Sequence, residues 1–402
     1  MNTKNNKYEG IVCFVFFLTW GFVFIDKLGI NYMMPEISKE LSLTNANIGQ
    51  IGFVTTTCYV ITSIIVGSLS DKTGYRKKFI VPFVLLTGVG AFAGIFAQTY
   101  MQLLMARAIV GLGQGPIMTL MMCINSAASR EGKIGRNSGF IIAGSAVFGN
   151  FMAPLIITWL MKLLPWRTIF AVCSIPIFVI GIVIAVFIKE VPRQTAPDAA
   201  GNVKKATTST LFKNRNFVIC SLIAISGLAG YWTLMLYIPN YLTNVTHLSM
   251  AKMGQVTSGM GLLFIVYVLL IPTLSDKYGR KPLLFIGFLL ALISPLCMFI
   301  FQETGVGAIT YIAFGGVVPS LLTLYMNVIP MESLSDDLKG RGISIVNSVG
   351  ELAGGAIWPL LAGVIADSKG LAFIMLIGAM LLGLGAVLTL GLKETNPRII
   401  NK

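Results

Sequence analysis

Four charged residues stand inside long apolar runs of this 402-residue chain, where charge is expensive: Asp26 and Lys27 in the first run, Arg107 in the fourth and Glu351 in the eleventh. Ionisable groups placed so usually face a polar cavity or one another. A buried cation can hold a carboxylate, and a carboxyl taken out of water holds its proton more readily. The chemistry on offer is therefore to bind an anion and to move a proton. Bond-making chemistry has no support. No P-loop, H-E-x-x-H or nucleophile elbow occurs, so no catalytic residue, metal site or cofactor is expected and the protein should not be an enzyme. The stretch GLGQG at 111–115 has phosphate-loop glycines but no Lys-Ser/Thr after them. Its glycines are expected to let helices pack closely.

Helical periodicity sorts the neighbours of these charges. Trp20, Lys27 and Asn31 fall on one face of the first run, at offsets of seven and four. Asp26 lies about 100° away and should face another helix, with Arg107 as its candidate partner. Arg107 and Gln114 share a face of the fourth run; Asn347, Glu351 and Trp358 share one of the eleventh. Tyr231, Trp232, Tyr237 and Asn240 make the seventh an aromatic wall. The expected substrate-binding set is Trp20, Lys27, Asn31, Tyr32, Arg107, Gln114, Tyr231, Trp232, Tyr237, Asn347 and Trp358, with Asp26 and Glu351 as proton carriers. Alternatives stay open: Lys27 can instead pair structurally with Asp26 or Glu351, and Asn150 fits a helix-packing amide. His247, the sole histidine, should be inert.

What must hold these residues is membrane. The chain is 55% hydrophobic and 11% charged, where soluble domains carry about 25% charged residues. About twelve uncharged stretches are long enough to cross a bilayer, near 11–32, 47–70, 79–97, 100–123, 137–160, 168–188, 217–240, 254–275, 283–301, 306–328, 342–366 and 371–392. Their continuity argues for helices over barrel strands. The first is too long for a cleaved signal peptide.

Charge then fixes the topology. With the N-terminus inside, inner segments hold 23 Lys/Arg, outer segments 5, and two (Lys27 and Arg107) sit within spans. This positive-inside bias puts both termini in the cytoplasm and accounts for the net charge of +14 without nucleic acid, for which no loop is large enough. All six cysteines lie in apolar spans without a C-x-x-C, as free buried thiols would.

The chain also repeats. GSLSDKTGYRKK at 67–78 returns as PTLSDKYGRKPL at 272–283, with Asp71 to Asp276 spanning 276 − 71 = 205 residues. The same offset lays Tyr32 on Tyr237, Gly49-Gln50 on Gly254-Gln255, Arg136 on Arg341, Gly149 on Gly354 and Pro154 on Pro359. Two six-helix halves of equal orientation are expected, 1–188 and 214–402, joined by a cytoplasmic linker over 189–213. Parallel repeats of this kind mark transporters with a site between the halves. The membrane charges do not repeat: Asp26 and Lys27 fall on Tyr231 and Trp232, Arg107 on Ile312, Glu351 on Ala146. Scaffold is symmetric and chemistry is not. The charged loops (Gly67, Asp71, Gly74 and Arg76; Asp276, Gly279 and Arg280) read as conformational latches. Asp71 is expected at the helix start near Arg341 and Asp276 at that near Arg136. The alternative is that they are plain positive-inside anchors.

The loop G-x-x-x-D-K-x-G-Y-R-K-K at 67–78 resembles the signature of the major facilitator superfamily, and Arg107 in RAIVGLGQGP resembles its fourth-span motif. Within that superfamily FIDKLGINYMMPEISKELSLT (24–44) is similar to the corresponding segment of the anion:cation symporter family. The resemblance implies an all-α fold of twelve transmembrane helices in two pseudo-symmetric six-helix bundles. It also implies proton-coupled uptake of an organic anion such as a sugar acid, by alternating access in the plasma (inner) membrane. The family has Asp-Arg where this chain has Asp26-Lys27, and tends to have Glu where it has Gln114. The first departure loses a planar carboxylate fork; the second removes a titratable group. An efflux antiporter for drugs or metabolites and a uniporter of neutral solutes share the fold. A non-transporting sensor would need an output domain larger than the linker. The expected partners are a small anionic substrate, the lipid bilayer and a coupling ion, with the protein as a monomer.

Overall fold

A computed structural model describes residues 6–130, 132–190, 208–302 and 304–400. Most of the expected linker, 191–207, lies outside the described residues. Among the described residues are twelve helices long and apolar enough to cross a membrane: α1 (Lys7–Glu40), α2 (Asn45–Thr73), α3 (Lys77–Phe96), α4 (Tyr100–Ala128), α5 (Ile134–Leu160), α6 (Trp166–Phe187), α7 (Arg215–Asn244), α8 (Met250–Tyr278), α9 (Arg280–Ile300), α10 (Gly305–Ser333), α11 (Leu338–Lys369) and α12 (Leu371–Leu390). Each expected span finds its helix. The described residues contain no strand, because a helix satisfies its backbone polar groups internally and so tolerates lipid.

The helices form two compact units, one within Met1–Leu43 and Val54–Asp198, the other within Thr44–Phe53 and Ala199–Lys402. In the first, α1 packs on α5 and α6 while α3 packs on α4 and α6. In the second, α7 packs on α11 and α12 while α9 packs on α10 and α12. Adding six to each helix number of the first unit gives the second, so the repeat extends from residues to packing. The interior of the first unit is aliphatic, with Val12, Phe16, Val84, Val110, Ile117 and Ile177 fully shielded. Large apolar side chains such as Ile65, Val186, Leu269 and Val387 stay exposed, as a lipid-facing surface requires.

The repeat reaches local backbone geometry. A π-helical segment runs over Ser145–Met152 in α5 and another over Gly350–Ile357 in α11, and 350 − 145 = 205 again. Each immediately precedes a residue-proline pair, Ala153-Pro154 and Trp358-Pro359. Proline has no N–H to donate, and its ring crowds the carbonyl four residues back. A widened turn ahead of it relieves that crowding.

Candidate functional site

The buried charges of the first unit form a defined cluster. Asp26 on α1 accepts from Arg107 on α4 through both oxygens, Nη1 to Oδ1 at 3.1 Å and Nη2 to Oδ2 at 3.2 Å. Gln114, two turns beyond Arg107 on α4, donates Nε2 to Asp26 Oδ2 at 3.3 Å. All three residues are at most 2% exposed. A bidentate, charge-assisted geometry of this kind is what makes a buried pair tolerable. The third guanidinium nitrogen, Arg107 Nε, has no hydrogen-bond partner, and the guanidinium carbon sits 6.0 Å from the Phe170 ring centroid.

Local sequence places α4. Thr99 and Gln102 close a reciprocal cap at its start. Gly111 and Gly115 bring it against α2: a Cβ at either position would lie 2.3 Å from the carbonyl oxygen of Thr55 or Tyr59 respectively. The glycines of the pseudo-phosphate loop thus serve helix contact.

Lys27, one residue on from Asp26, projects among aromatic rings. Its Nζ lies 4.9 Å from the Tyr59 centroid and 5.3 Å from that of Phe24, distances at which a ring face attracts a cation. Trp20 packs on the same Phe24, centroids 4.8 Å apart; Trp20, Asn31 and Tyr32 are all buried. Tyr59 is missing from the sequence-based set, because helical periodicity within α1 says nothing about the register of α2 beside it.

In the second unit Glu351 lies on the π-helical segment of α11, and its Oε2 occupies the space that a Cβ on Gly355 would meet at 2.9 Å. The Trp232 indole borders the same point. Gly355 is the repeat counterpart of Asn150 (355 − 150 = 205), whose amide is buried and donates to Ser145 O at 3.2 Å. Both of these proline-preceding π-helical segments carry a polar side chain, an amide in one unit and a carboxylate in the other. Tyr231 stacks obliquely on Trp232, centroids 5.0 Å apart, and lines a cavity of about 20 Å³ with Ser294, Tyr311 and Gly315. Tyr325 comes within electrostatic reach of Glu351 and Tyr231. Tyr311, Tyr325 and Ser294 escape sequence reasoning because single tyrosines and serines in apolar helices carry no periodic signal. Asn347 donates to Ile343 O at 2.8 Å and to Met326 O at 3.4 Å. Trp358 packs against Ala229, Ile377 and Leu381, and Tyr237 is fully buried.

The charged loops are built alike. In the first, Arg76 pairs with Asp71 at 2.7 Å and donates to Ser70. The free N–H groups at the start of α3 (Arg76, Lys77 and Lys78) all donate to Glu190, at 2.6, 2.9 and 3.1 Å. In the second, Arg280 pairs with Asp276 at 2.5 Å and Glu332 at 2.9 Å, donates to Ser275 at 2.6 Å, and α9 begins on Glu394, which accepts from Arg280 N and Lys281 N at 2.9 and 3.1 Å. The register slips by one: Arg76 corresponds to Arg280 and Glu190 to Glu394, at 280 − 76 = 204 and 394 − 190 = 204. Glutamates thus occupy the starts of α3 and α9. Gly74 and Gly279 take φ of 77° and 106°, which only glycine accepts readily, whereas a Cβ at Gly67 would meet nothing within 4 Å. Arg136 and Arg341 are both exposed, and Arg136 donates to Asn137 at 3.4 Å. Burial works to raise the Glu394 carboxyl, but the N–H groups of Asn396, Arg280, Lys281 and Thr395 outweigh it and hold it below the usual carboxylate value.

Comparison with known proteins agrees with this architecture. The family profile for the Major Facilitator Superfamily matches residues 11–354. A protein of Cupriavidus pinatubonensis named "Probable 4-methylmuconolactone transporter" is 25% identical over 66% of this chain and 62% of its own length. The cis,cis-muconate transport protein of Acinetobacter baylyi is 26% identical over 92% of this chain and 91% of its own. Among solved structures, a bacterial homologue of the human lysosomal transporter Spinster superposes with a TM-score of 0.82 at 16% identity, over 96% of this chain and 97% of that one. The protein is thus a multi-pass membrane transporter of small molecules and not an enzyme, and the chain belongs to the major facilitator superfamily.

Proposed function

We propose that this transporter takes up a small organic anion, a carboxylate, together with protons, by alternating access. The observation that carries the reading is Lys27: an ammonium set half-buried between the Tyr59 and Phe24 rings, one residue from the Asp26–Arg107 pair. A carboxylate can pair with the ammonium while its carbon skeleton rests on the rings. The relatives support the class, since one is named for muconate, an organic dicarboxylate. Trp20, Asn31 and Tyr32 contribute from α1, and Tyr231, Trp232, Asn347 and Trp358 are the candidates from the second unit.

Proton coupling falls to Asp26 or Glu351. Protonating Asp26 removes the charge that Arg107 and Gln114 hold, which frees the guanidinium and loosens α1 from α4. Glu351, beside Trp232 on a π-helical segment, is the second such group. The paired charges of the two loops, Asp71 with Arg76 and Asp276 with Arg280, act as conformational latches. The protein works as a monomer in the plasma membrane with both termini in the cytoplasm, its halves 1–188 and 214–402 moving about the 189–213 linker.

Uptake of a radiolabelled carboxylate such as muconate or galactonate into proteoliposomes tests this. Lys27→Gln should lower uptake at least about tenfold, and Lys27→Arg should keep much of it. Undiminished uptake by a folded Lys27→Gln protein removes Lys27 from the site. Substrate that moves outward against a proton gradient instead identifies an efflux antiporter.

A further inference from the structure

The end of α2 remote from the Gly67–Lys78 loop is held by a carboxylate that sequence reasoning left unassigned. A helix begins with N–H groups that lack partners within the helix. In α2 these are accounted for one by one. Thr44 and Asn47 close a reciprocal cap, Asn47 N donating to Thr44 Oγ1 at 3.2 Å and Thr44 N to Asn47 Oδ1 at 3.0 Å. The next two donors go to Asp367 on α11: Asn45 N at 2.7 Å and Ala46 N at 3.0 Å, with the Asn45 side-chain amide adding a third bond at 3.0 Å.

Asp367 sits awkwardly on its own helix. It lies in the last turn of α11, where the helix dipole disfavours an anion, yet it faces the first turn of α2, where the dipole favours one. Its repeat counterpart is Lys162 (367 − 162 = 205), so this carboxylate exists in one half only. Beside it, the Tyr237 hydroxyl on α7 bridges Asn45 O and Pro359 O, both at 3.0 Å. Close approach is obligatory: a Cβ on Gly49 would lie 2.8 Å from both Pro359 O and the Tyr237 hydroxyl, and one on Gly363 would lie 2.4 Å from Asn45 O. Thr44–Phe53 belongs to the second compact unit and the rest of α2 to the first.

We propose that Asp367, with Tyr237, is a clasp that holds the first turns of α2 onto α11 and α7, and that the transport cycle opens it. Tyr237 is then a clasp residue and not a substrate ligand. This holds whatever the transported molecule is, and its test needs none.

Leu236 is buried and reaches within 3.3 Å of the Cβ position of Gly52, so it reports on whether the segment lies in place. In the full-length protein with its six cysteines replaced and Leu236→Cys added, the rate of modification by a polar maleimide measures opening. Asp367→Ala should raise that rate about tenfold, the scale of losing hydrogen bonds to a charged acceptor. Asn45→Asp, which sets two carboxylates together while keeping a helix-capping residue type, should raise it as well. Combining Asn45→Asp with Asp367→Asn restores one charge and one amide, and should return the rate towards the parent's. Parent-like modification of Asn45→Asp, in protein that melts like the parent, overturns the clasp. So does a double variant as fast as Asn45→Asp alone. If Asp367→Ala does not fold, these two comparisons decide.

Discussion

Arg107 grips Asp26 with both terminal nitrogens, 3.1 and 3.2 Å from the two carboxylate oxygens, where neither residue is more than 2% exposed. Removing one partner of such a pair strands the other charge in a low dielectric, at a cost of about 3–5 kcal/mol, whereas replacing both with neutral groups can cost little. Arg107→Ala and Asp26→Ala should each melt well below the parent. The double variant Asp26→Asn, Arg107→Gln should recover most of the loss. Additive melting shifts for the pair would deny that the two residues stabilise each other.

Gln114 is the second side chain that donates to Asp26. Its amide donates to the carboxylate at 3.3 Å, and a glutamate there would oppose it with a like charge. Two carboxylates that close do not both ionise readily, so one retains a proton to higher pH. Gln114→Glu is therefore expected to add a titration to the transport rate above the ordinary carboxylate range, read from uptake rates in proteoliposomes across pH. A profile that overlays the parent's would remove Gln114 from the coupling.

Glu394 is held below the ordinary carboxylate value by backbone N–H groups, against its burial. The unfolded chain binds that proton at about pH 4.3. Its stabilising share is therefore complete above that value and is lost as pH falls through the lower folded one. Glu394→Gln should cost about 0.5–2 kcal/mol at pH 7, the scale of a lost helix cap. The melting temperatures of parent and variant should converge as the pH is lowered below 4. A gap that persists undiminished in acid would exclude the charge as the cause.

Two glycine substitutions separate packing from propensity. Gly111→Ala drives a methyl to 2.3 Å from Thr55 O and should destabilise by about 1–3 kcal/mol through overpacking. Gly139, also helical, has nothing within 4 Å of its Cβ position. Gly139→Ala should instead stabilise, by about 0.5–1 kcal/mol. Thermal melts of the two variants check the contrast, and equal shifts would show that α4 and α2 can part freely.

The amino-acid sequence by itself determined the helix count, the repeat and the asymmetry of buried charge, because each is a property of order along the chain. A continuous uncharged run in lipid has few options besides a helix, and a 205-residue offset needs only comparison of the chain with itself. Helical periodicity even separated Asp26 from Lys27 and pointed it at Arg107. Only the tertiary structure decided which groups meet across helices. Tyr59 lies beside Lys27, Glu190 and Glu394 take the starts of α3 and α9, and Asp367 caps α2 from 321 to 322 residues away. Those pairings depend on axial register and rotation between neighbouring helices. Side-chain fit and hydrogen-bond accounting fix both, and periodicity along a single helix contains neither.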